Sequence, residues 1–449
     1  MQATERIQAY SKTVCDQVRW KKAHGMIAEE IENHLVDQRD AYIAAGAPED
    51  EATGRALAQM GDPVDIGARL DRTHRPKPQW SMLFLTAALL LAGLVIRLVI
   101  VRSGWDRELP VQLLAMAAGL GLMAAAYFAD FTLIGRHPKT FFVLLMAAAL
   151  TAALLSPLLN GRRYYAEFMT LLFPLGFSAV IYALRNKGYR GLIACCLAFL
   201  LPCLMALQVP TVAGLLLFAF CGFALLLLAI VKNWFGVSKL FGGLIAAVPF
   251  AAALLLVSRM FGMRLTAVLD PFADPNGYGY FAIAIREMLA SARLLGPGAP
   301  LPADTAQLLR SPMTDTTQLL ANLIHSAGWL AFIAVMAVLL LFAVRGFMLC
   351  ARQKSVIGRL IAMSVMLTFS AQVFGYVLYN LGYPLMDPIS LPLISYGNAA
   401  MMINLFLIGL MLSVFRTGDV ARDKSGGVLK RQSPIAWADG KLIISFSRK

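Results

Sequence analysis

The chain has few charged side chains for its length of 449 residues. Only 15% of its residues are charged, whereas 59% are apolar and the mean hydropathy is +0.66. Soluble domains carry about 25% charged and roughly 45–50% apolar residues, so a soluble enzyme is excluded as a description of the whole chain. Apolar runs near the spanning length of about 20 residues recur instead from residue 80 to residue 415. The composition predicts an all-α, polytopic membrane protein.

Several chemical signatures are missing from the sequence. The six cysteines fit neither a disulfide framework nor a metal site, because four lie inside apolar runs and none stands at metal-ligand spacing from a histidine. There is no Walker loop or glycine-rich nucleotide fingerprint, which argues against ATP-driven transport by this chain alone. The 40 Lys and Arg residues outnumber 26 Asp and Glu residues, but no stacking aromatics are interleaved with them, so nucleic acid is not an expected partner.

Hydropathy divides the chain into three parts. Residues 1–75 are polar with apolar residues at helical spacing, interrupted by two turn signals of glycine and proline, which predicts a small cytoplasmic helical domain. Residues 76–416 form the membrane domain, and residues 417–449 form a basic cytoplasmic tail. The ten predicted spans are approximately 80–101, 110–132, 140–159, 165–184, 190–209, 211–231, 239–257, 321–344, 356–381 and 397–415.

Basic residues are concentrated in one set of the loops between the spans. Arg185 and Lys187 follow the fourth span, and Arg352 and Lys354 follow the eighth. By the positive-inside rule these loops face the cytoplasm, which places both termini there. The segment 259–320, between the seventh and eighth spans, is then a large external loop. An external loop of this length is usually functional.

The external loop contains both arginines and carboxylates. Arginine can hold pyrophosphate oxygens in a bidentate manner, and a carboxylate can take a proton from a hydroxyl group. This mixture suits a site for an anionic amphiphile, although a loop that is merely solvated has the same composition. On composition alone, the solvated loop is the preferred interpretation.

Two motifs resemble a known family. Residues 269–280 (Leu-Asp-Pro-Phe-Ala-Asp-Pro-Asn-Gly-Tyr-Gly-Tyr) resemble the sequence after the seventh span of the FtsW/RodA/SpoVE (SEDS) family. Residues 391–398 (Leu-Pro-Leu-Ile-Ser-Tyr-Gly-Asn) resemble its Pro-Phe-Ile-Ser-Tyr-Gly-Gly-Ser signature before the last span. The likeness is specific over 259–416 and weaker over 80–258. Residues 1–75 resemble instead the helical prefix found ahead of some bacterial permeases.

The resemblance implies a function in cell elongation, division or sporulation. SEDS members polymerise lipid II into peptidoglycan glycan strands beside a class B penicillin-binding protein. The expected partners are therefore lipid II, a class B penicillin-binding protein and membrane lipids, and the expected location is the bacterial plasma membrane. No cofactor is required by the residues, and a divalent cation, Mg or Mn, is allowed by the resemblance.

The resemblance also implies site residues. In the family an Asp of the external loop acts as general base on the 4-hydroxyl of the acceptor sugar, and matching the Thr-Asp pair literally assigns this role to Asp315. The residues expected to bind substrate are Arg264 and Arg310 near the pyrophosphate, and Asp270, Tyr280, Ser395 and Tyr396 along the groove.

The sequence departs from the family pattern at several polar positions. A register without gaps from Pro312 to Gly328 places Thr317 at the catalytic position, and threonine has no ionisation near neutral pH. The family's Glu-x-x-Lys in the fourth span is here Glu167 with Thr170. Three functions therefore stay open: an inverting lipid II polymerase, a catalytically inactive scaffold or regulator of a partner synthase, and a translocase of lipid-linked precursor.

Overall fold

The structure, a computed structural model, describes residues 3–100, 108–159, 162–277, 279–308, 316–395, 397–417, 435–438 and 441–444. The regular secondary structure of these residues is helical apart from two short antiparallel hairpins, Leu158–Leu159 with Arg162–Arg163 and Ile435–Ala438 with Lys441–Ile444. The predicted all-α class is confirmed.

Four helices form the N-terminal part of the chain: α1 (Ala3–Asp16), α2 (His24–Ala44), α3 (Glu49–Met60) and α4 (Pro63–His74). They enclose a hydrophobic cluster that includes the buried Val14, Ile27 and Leu35. The Tyr10 hydroxyl donates a hydrogen bond to the carbonyl of Gly61 (2.9 Å), which joins α1 to the end of α3. The independence of residues 1–75 as a domain stays a prediction.

Within the described residues, ten helical segments are long and apolar enough to cross a membrane, as predicted. They are α5 (Trp80–Ile100), α6 (Glu108–Phe128), α8 (Pro138–Leu155), α9 with α10 (Tyr164–Met169 and Phe173–Leu184), α11 (Gly188–Gln208), α12 (Val212–Val231), α13 (Lys239–Leu269), and three further helices, α17 (Trp329–Arg352), α18 (Val356–Asn380) and α19 (Asn398–Thr417). The remaining short helices are α7 (Thr132–Arg136), α14 (Tyr280–Ser291), α15 (Ala303–Leu308) and α16 (Leu319–Ala327).

The bundle has a buried centre and a lipid-facing periphery. The fourth, sixth and tenth spans bury 78%, 67% and 72% of their most apolar windows, whereas the second and third bury 22% each. The aromatic rings of Phe177, Phe199 and Phe218 pack together at this centre with centroids 4.9–5.7 Å apart. Apolar side chains on the peripheral helices face outward, as in a bundle whose solvent is hydrocarbon.

Helix α13 is longer than the sequence predicted. The predicted span ended at residue 257, but the helix continues to Leu269 and covers 31 residues, roughly 46 Å at 1.5 Å per residue. It ends there because Asp270 precedes a proline, which disfavours helical backbone at Asp270. The first part of the segment predicted as external loop is therefore helical, and Arg264 lies on this helix.

The predicted eighth span, 321–344, is divided into two helices. Helix α16 (Leu319–Ala327) ends at Gly328, where the backbone is left-handed (φ +98°), and α17 begins at Trp329. A β-carbon at Gly328 would also lie 2.6 Å from the carbonyl oxygen of Leu294. Only glycine tolerates both conditions, so the break is encoded at this residue.

Helices α6 and α19 approach each other closely through small residues. A β-carbon added at Gly409 of α19 would lie 2.3 Å from the carbonyl oxygen of Met123 on α6. The Ser413 hydroxyl donates to the carbonyl of Ala129 (2.8 Å), and the Arg416 guanidinium lies 4.4 Å from the centre of the Tyr127 ring. Small residues at a membrane interface allow this close packing of backbones.

A buried amide pair joins α18 to α19. The side-chain nitrogen of Gln372 donates to the side-chain oxygen of Asn404 (2.9 Å), and the Asn404 nitrogen donates back to the Gln372 oxygen (3.1 Å). The Ser390 hydroxyl donates to the same Gln372 oxygen (3.0 Å) and attaches the segment after α18. All three residues are buried, so their mutual hydrogen bonds replace those that water would make.

We expect Gly409→Val to lower the thermal unfolding midpoint of the purified protein, because the new side chain overlaps the Met123 backbone. Overpacking of this kind costs roughly 1–3 kcal/mol. The matched control is Gly121→Val on α6, where a β-carbon has no atom within 4 Å. Equal shifts of the midpoint in the two variants would contradict the close contact.

We expect Gln372→Leu and Asn404→Leu each to destabilise the protein by about 1–3 kcal/mol, because each leaves the partner amide buried without its hydrogen bond. The double variant should lose less than the sum of the two single variants. Unfolding of all four proteins in detergent gives the coupling energy. Strict additivity would mean that the two amides do not act as a pair.

Candidate functional site

The first family-like motif forms a tight turn between α13 and α14. The Asp270 carboxylate accepts a hydrogen bond from the backbone nitrogen of Phe272 (3.1 Å) and so starts a short 3-10 turn. A β-carbon at Gly279 would lie 1.9 Å from the carbonyl oxygen of Pro271. Two motif residues therefore have direct structural roles, while the Tyr280 side chain, which follows them, is 38% exposed.

Arg286 ties α14 to two other elements. Its Nε donates to the carbonyl of Gly382 (3.2 Å), after α18, and a terminal nitrogen donates to the carbonyl of Val268 (3.4 Å), near the end of α13. Its guanidinium also lies 5.5 Å from the ring centre of Tyr383. The sequence reasoning did not assign a role to Arg286, and no local pattern distinguishes it from its neighbours.

A small hydrophobic cluster lies beneath these contacts. It joins Ile285 and Met288 of α14 to Ala321 of α16 and Tyr379 of α18. The cluster fixes α14, an amphipathic helix that ends at Ser291, against α16 and α18.

Two side chains of α18 hold the backbone that follows the predicted catalytic position. The Tyr376 hydroxyl donates to the carbonyl of Thr316 (2.7 Å). The Asn380 side-chain nitrogen donates to the carbonyl of Thr317 (2.9 Å), and its oxygen accepts from the backbone nitrogen of Ala321 (3.0 Å). Tyr376 and Asn380 are fully buried. They are the main site residues that the sequence reasoning missed, although Asn380 is visible as an amide in an apolar span.

His325 on α16 connects this segment to the loop after α14. Its Nδ1 lies 3.0 Å from the Ser291 hydroxyl, which itself donates to the carbonyl of Met288. The His325 carbonyl accepts from the backbone nitrogen of Gly298 (2.7 Å). Burial lowers the pKa of His325 below its ordinary value, which favours the neutral ring. These contacts give His325 a structural role, because they join α16 to the loop that follows α14.

A mostly apolar cavity of about 630 Å³ lies between α12, α13, α18 and the segment after α18. Its walls include Phe220, Leu254 and Phe374, and its polar lining includes Gln372 and Tyr376. Tyr376 belongs to both the cavity wall and the hydrogen bonds that hold Thr316. The cavity therefore adjoins the segment 316–321, which Tyr376 and Asn380 anchor.

The second family-like motif forms a buried turn. The Ser395 hydroxyl accepts from the backbone nitrogen of Leu391 (2.8 Å) and donates to its carbonyl (3.2 Å). Ser395 is 3% exposed, and the neighbouring Ile394 packs on Gly93 of α5, where a β-carbon would lie 2.7 Å from the Ile394 oxygen. The Ser395 hydroxyl is used within the turn, and the expected role of this residue in the groove stays a prediction.

Glu167 lies at the junction of the fourth and sixth spans. Its carboxylate accepts from the Thr211 hydroxyl (2.9 Å), which in turn accepts from the backbone nitrogen of Gly214 and so caps α12. The Thr170 hydroxyl donates to the carbonyl of Glu167 (2.6 Å). Glu167 and Thr170 are buried, so this polar group is part of the helix packing.

The predicted site residues are only partly brought together. Asp270 and Tyr280 flank one turn, and Ser395 belongs to a different turn. Arg264 lies on α13, and nothing is described of its side chain. Arg310, Asp315 and Tyr396 lie outside the described residues. The roles assigned to these residues stay predictions.

A divalent cation has no ligand set in the described part of the chain. No three His, Cys, Asp or Glu side chains come together there in a way that could hold a metal ion. The divalent cation that the family resemblance allows therefore stays an expectation.

Known proteins similar to this chain are cell-wall enzymes. Peptidoglycan glycosyltransferase MrdB of Escherichia coli K12 is 30% identical over 243 residues, which cover 52% of this chain and 60% of MrdB. The probable peptidoglycan glycosyltransferase FtsW of Synechocystis sp. PCC 6803 is 30% identical over 158 residues, or 35% of this chain and 40% of that protein. Both matches span less than two thirds of the relative.

Solved structures share the fold. A chain from "Structural coordination of polymerization and crosslinking by a peptidoglycan synthase complex" matches with a TM-score of 0.59 and 21% identity, over 77% of this chain and 99% of that chain. Rod shape determining protein RodA of Thermus thermophilus matches with a TM-score of 0.52 and 18% identity, over 76% and 97%. The family model for cell cycle proteins of the FtsW/RodA/SpoVE type matches residues 164–419. The chain belongs to the FtsW/RodA/SpoVE (SEDS) family.

Proposed function

We propose that this chain binds lipid II and polymerises it into peptidoglycan glycan strands by inverting glycosyl transfer. The observation that carries the proposal is the apolar cavity next to the anchored segment that follows Asp315. A polyprenyl chain needs an apolar cleft, and its sugar needs a polar site beside that cleft. Tyr376 connects the two, since it lines the cavity and its hydroxyl donates to the Thr316 carbonyl.

The proposed reaction uses one carboxylate. Asp315 takes the proton from the 4-hydroxyl of the acceptor sugar, and that oxygen forms a bond to the anomeric carbon of the donor. The bond from that carbon to the pyrophosphate oxygen breaks, and undecaprenyl pyrophosphate leaves with the electron pair and inverted stereochemistry at carbon. Arg264 and Arg310 hold the leaving pyrophosphate. Asp315 then returns its proton to water.

The proposal extends to location and partner. A protein with ten spanning helices and cell-wall relatives fits the bacterial plasma membrane, with both termini in the cytoplasm by the distribution of basic loops. A class B penicillin-binding protein is the proposed partner, because a structure with the same fold comes from a peptidoglycan synthase complex.

A specific observation favours a second function, that of an inactive scaffold for a partner synthase. Where the family motif has lysine, this chain has Thr170, which is fully buried and uses its hydroxyl on the Glu167 carbonyl. A cation is thereby replaced by a neutral packing residue. In the alternative register, Thr317 also replaces the catalytic carboxylate.

We expect Asp315→Asn to abolish glycan chain formation from labelled lipid II, because the amide cannot accept the hydroxyl proton. The assay uses the purified protein with and without a class B penicillin-binding protein. Asp304→Asn, an exposed carboxylate on α15, is the matched control and should retain the wild-type rate.

The outcomes separate the proposed functions. Wild-type-like activity of Asp315→Asn would remove the assigned base. If the wild type forms no chains under either condition but co-purifies with the penicillin-binding protein, the scaffold is supported. Movement of precursor across sealed vesicles without polymerisation would support a translocase instead.

We expect Asn380→Leu to loosen the segment 316–321, because it removes hydrogen bonds to the Thr317 carbonyl and the Ala321 nitrogen. Amide hydrogen exchange of that segment should accelerate about tenfold, since a buried hydrogen bond contributes roughly 1–3 kcal/mol. The control is Ser364→Ala on the same helix, whose hydroxyl bonds only the carbonyl of Ile361. Unchanged exchange in Asn380→Leu would show that the segment is held by other contacts.

A further inference from the structure

Two loops at the same ends of the spans lie against each other. Residues 185–190 comprise the connection from α10 to α11 and the first three residues of α11, and residues 232–239 lead from α12 into α13. The backbone nitrogen of Asn186 donates to the carbonyl of Trp234 (2.8 Å), and the backbone nitrogen of Ser238 donates to the Tyr189 hydroxyl (3.3 Å). These two segments together are called the paired-loop surface.

The paired-loop surface has a fixed backbone. Asn186 and Asn233 adopt left-handed conformations with φ of 65° and 57°, which asparagine tolerates better than most residues. The side chains of Phe235 and Val237 are buried in the main core and anchor the second loop. The surface is therefore preorganised by its own hydrogen bonds and packing.

Positive charge on this surface is not balanced by carboxylates. The sequence contains no Asp or Glu between Glu167 and Asp270. Four exposed cations belong to the surface, and none of them forms an ion pair with a described residue. These four cations are Lys187, Arg190, Lys232 and Lys239.

The loop between α17 and α18 provides a contrast. The Arg359 guanidinium, from the first turn of α18, donates to the carbonyl of Gln353 in this loop and to that of Ala351 at the end of α17. The four cations of the paired-loop surface have no such described hydrogen bond. Their head groups are available to a ligand outside the protein.

Apolar side chains continue directly from the cations along α13. Leu240, Phe241 and Leu244 are all more than half exposed, and Leu240 and Leu244 lie one turn apart on the same helix face. Tyr189 and Trp234 add amphipathic rings at the boundary, as is typical of a membrane interface. The surface thus presents cations next to an apolar strip. A negatively charged headgroup would meet the cations while its acyl chains lie along the strip.

We propose that the paired-loop surface binds the headgroup of an anionic phospholipid. Lysine and arginine bind phosphodiester oxygens through charge-assisted hydrogen bonds, and the acyl chains lie along Leu240 and Leu244. Because cations are contributed by both loops, a lipid with two phosphates, such as diphosphatidylglycerol, is the best match. A single phosphate reaches fewer of them. This site shares no residue with the cavity or with the segment 316–321.

The test titrates the purified full-length protein in neutral detergent with tetraoleoyl diphosphatidylglycerol, and in parallel with dioleoyl phosphatidylcholine. Native mass spectrometry gives the dissociation constants. The variant Lys187→Gln/Lys232→Gln, with one change in each loop, should bind diphosphatidylglycerol about thirtyfold more weakly, which corresponds to about 2 kcal/mol for the two cations together. The charge-retaining variant Lys187→Arg/Lys232→Arg should bind as the wild type does.

The matched control is Arg352→Gln/Lys354→Gln, which removes two exposed cations from the loop between α17 and α18. It should leave the affinity unchanged. The assignment is overturned if phosphatidylcholine binds as tightly as diphosphatidylglycerol, or if the control loses as much affinity as the test variant. Displacement of the lipid by soluble pyrophosphate at equal concentration would also overturn it, in favour of a site for free phosphate. If Lys187→Gln/Lys232→Gln does not fold, Lys232→Gln alone is measured against Lys354→Gln.

Discussion

The hydrogen bonds from Tyr376 and Asn380 to the segment 316–321 are the constraint on which the candidate site depends. This segment precedes and begins α16, and its free carbonyls and amides need partners where water is scarce. Two buried side chains of α18 supply them. The positions of Thr316 and Thr317 are therefore fixed by side chains of a membrane helix.

The same helix organises the interior. Along α18, Gln372 pairs with Asn404 of α19 and receives the Ser390 hydroxyl, and Tyr376 follows one turn later. Gln372 and Tyr376 also line the apolar cavity. Helix α18 thus contributes to three features: the polar network around Gln372, the apolar cavity and the anchoring of the segment 316–321. A displacement of α18 would move all three together.

Polar residues at two positions of the family pattern are satisfied locally. Thr170, which replaces a lysine of the pattern, packs in the bundle, and Ser395, which the pattern retains, uses its hydroxyl inside a buried turn. In both places a polar group is satisfied by nearby backbone. The architecture of the family is retained through packing and local hydrogen bonds, which do not require the catalytic residues. Fold and chemistry are therefore separable in this chain.

Much of the fold was determined by the sequence alone. The cost of placing charged groups in hydrocarbon makes the ten spans visible as apolar runs, and the two family-like motifs identified the family correctly. The turn signals marked the ends of N-terminal helices. The sequence missed the extension of α13 to Leu269 and the break at Gly328, because apolar periodicity does not report where a helix leaves the membrane.

Only the tertiary structure decided which polar groups meet. Asn380 lies 63 positions from Thr317, and Gln372 lies 32 from Asn404. The two basic loops likewise converge only because α10 to α13 pack side by side. Spacing along the chain carries no signal for such pairs, because a hydrogen bond depends on distance and direction in space. Local propensity fixes the helices, and packing fixes what their side chains can do.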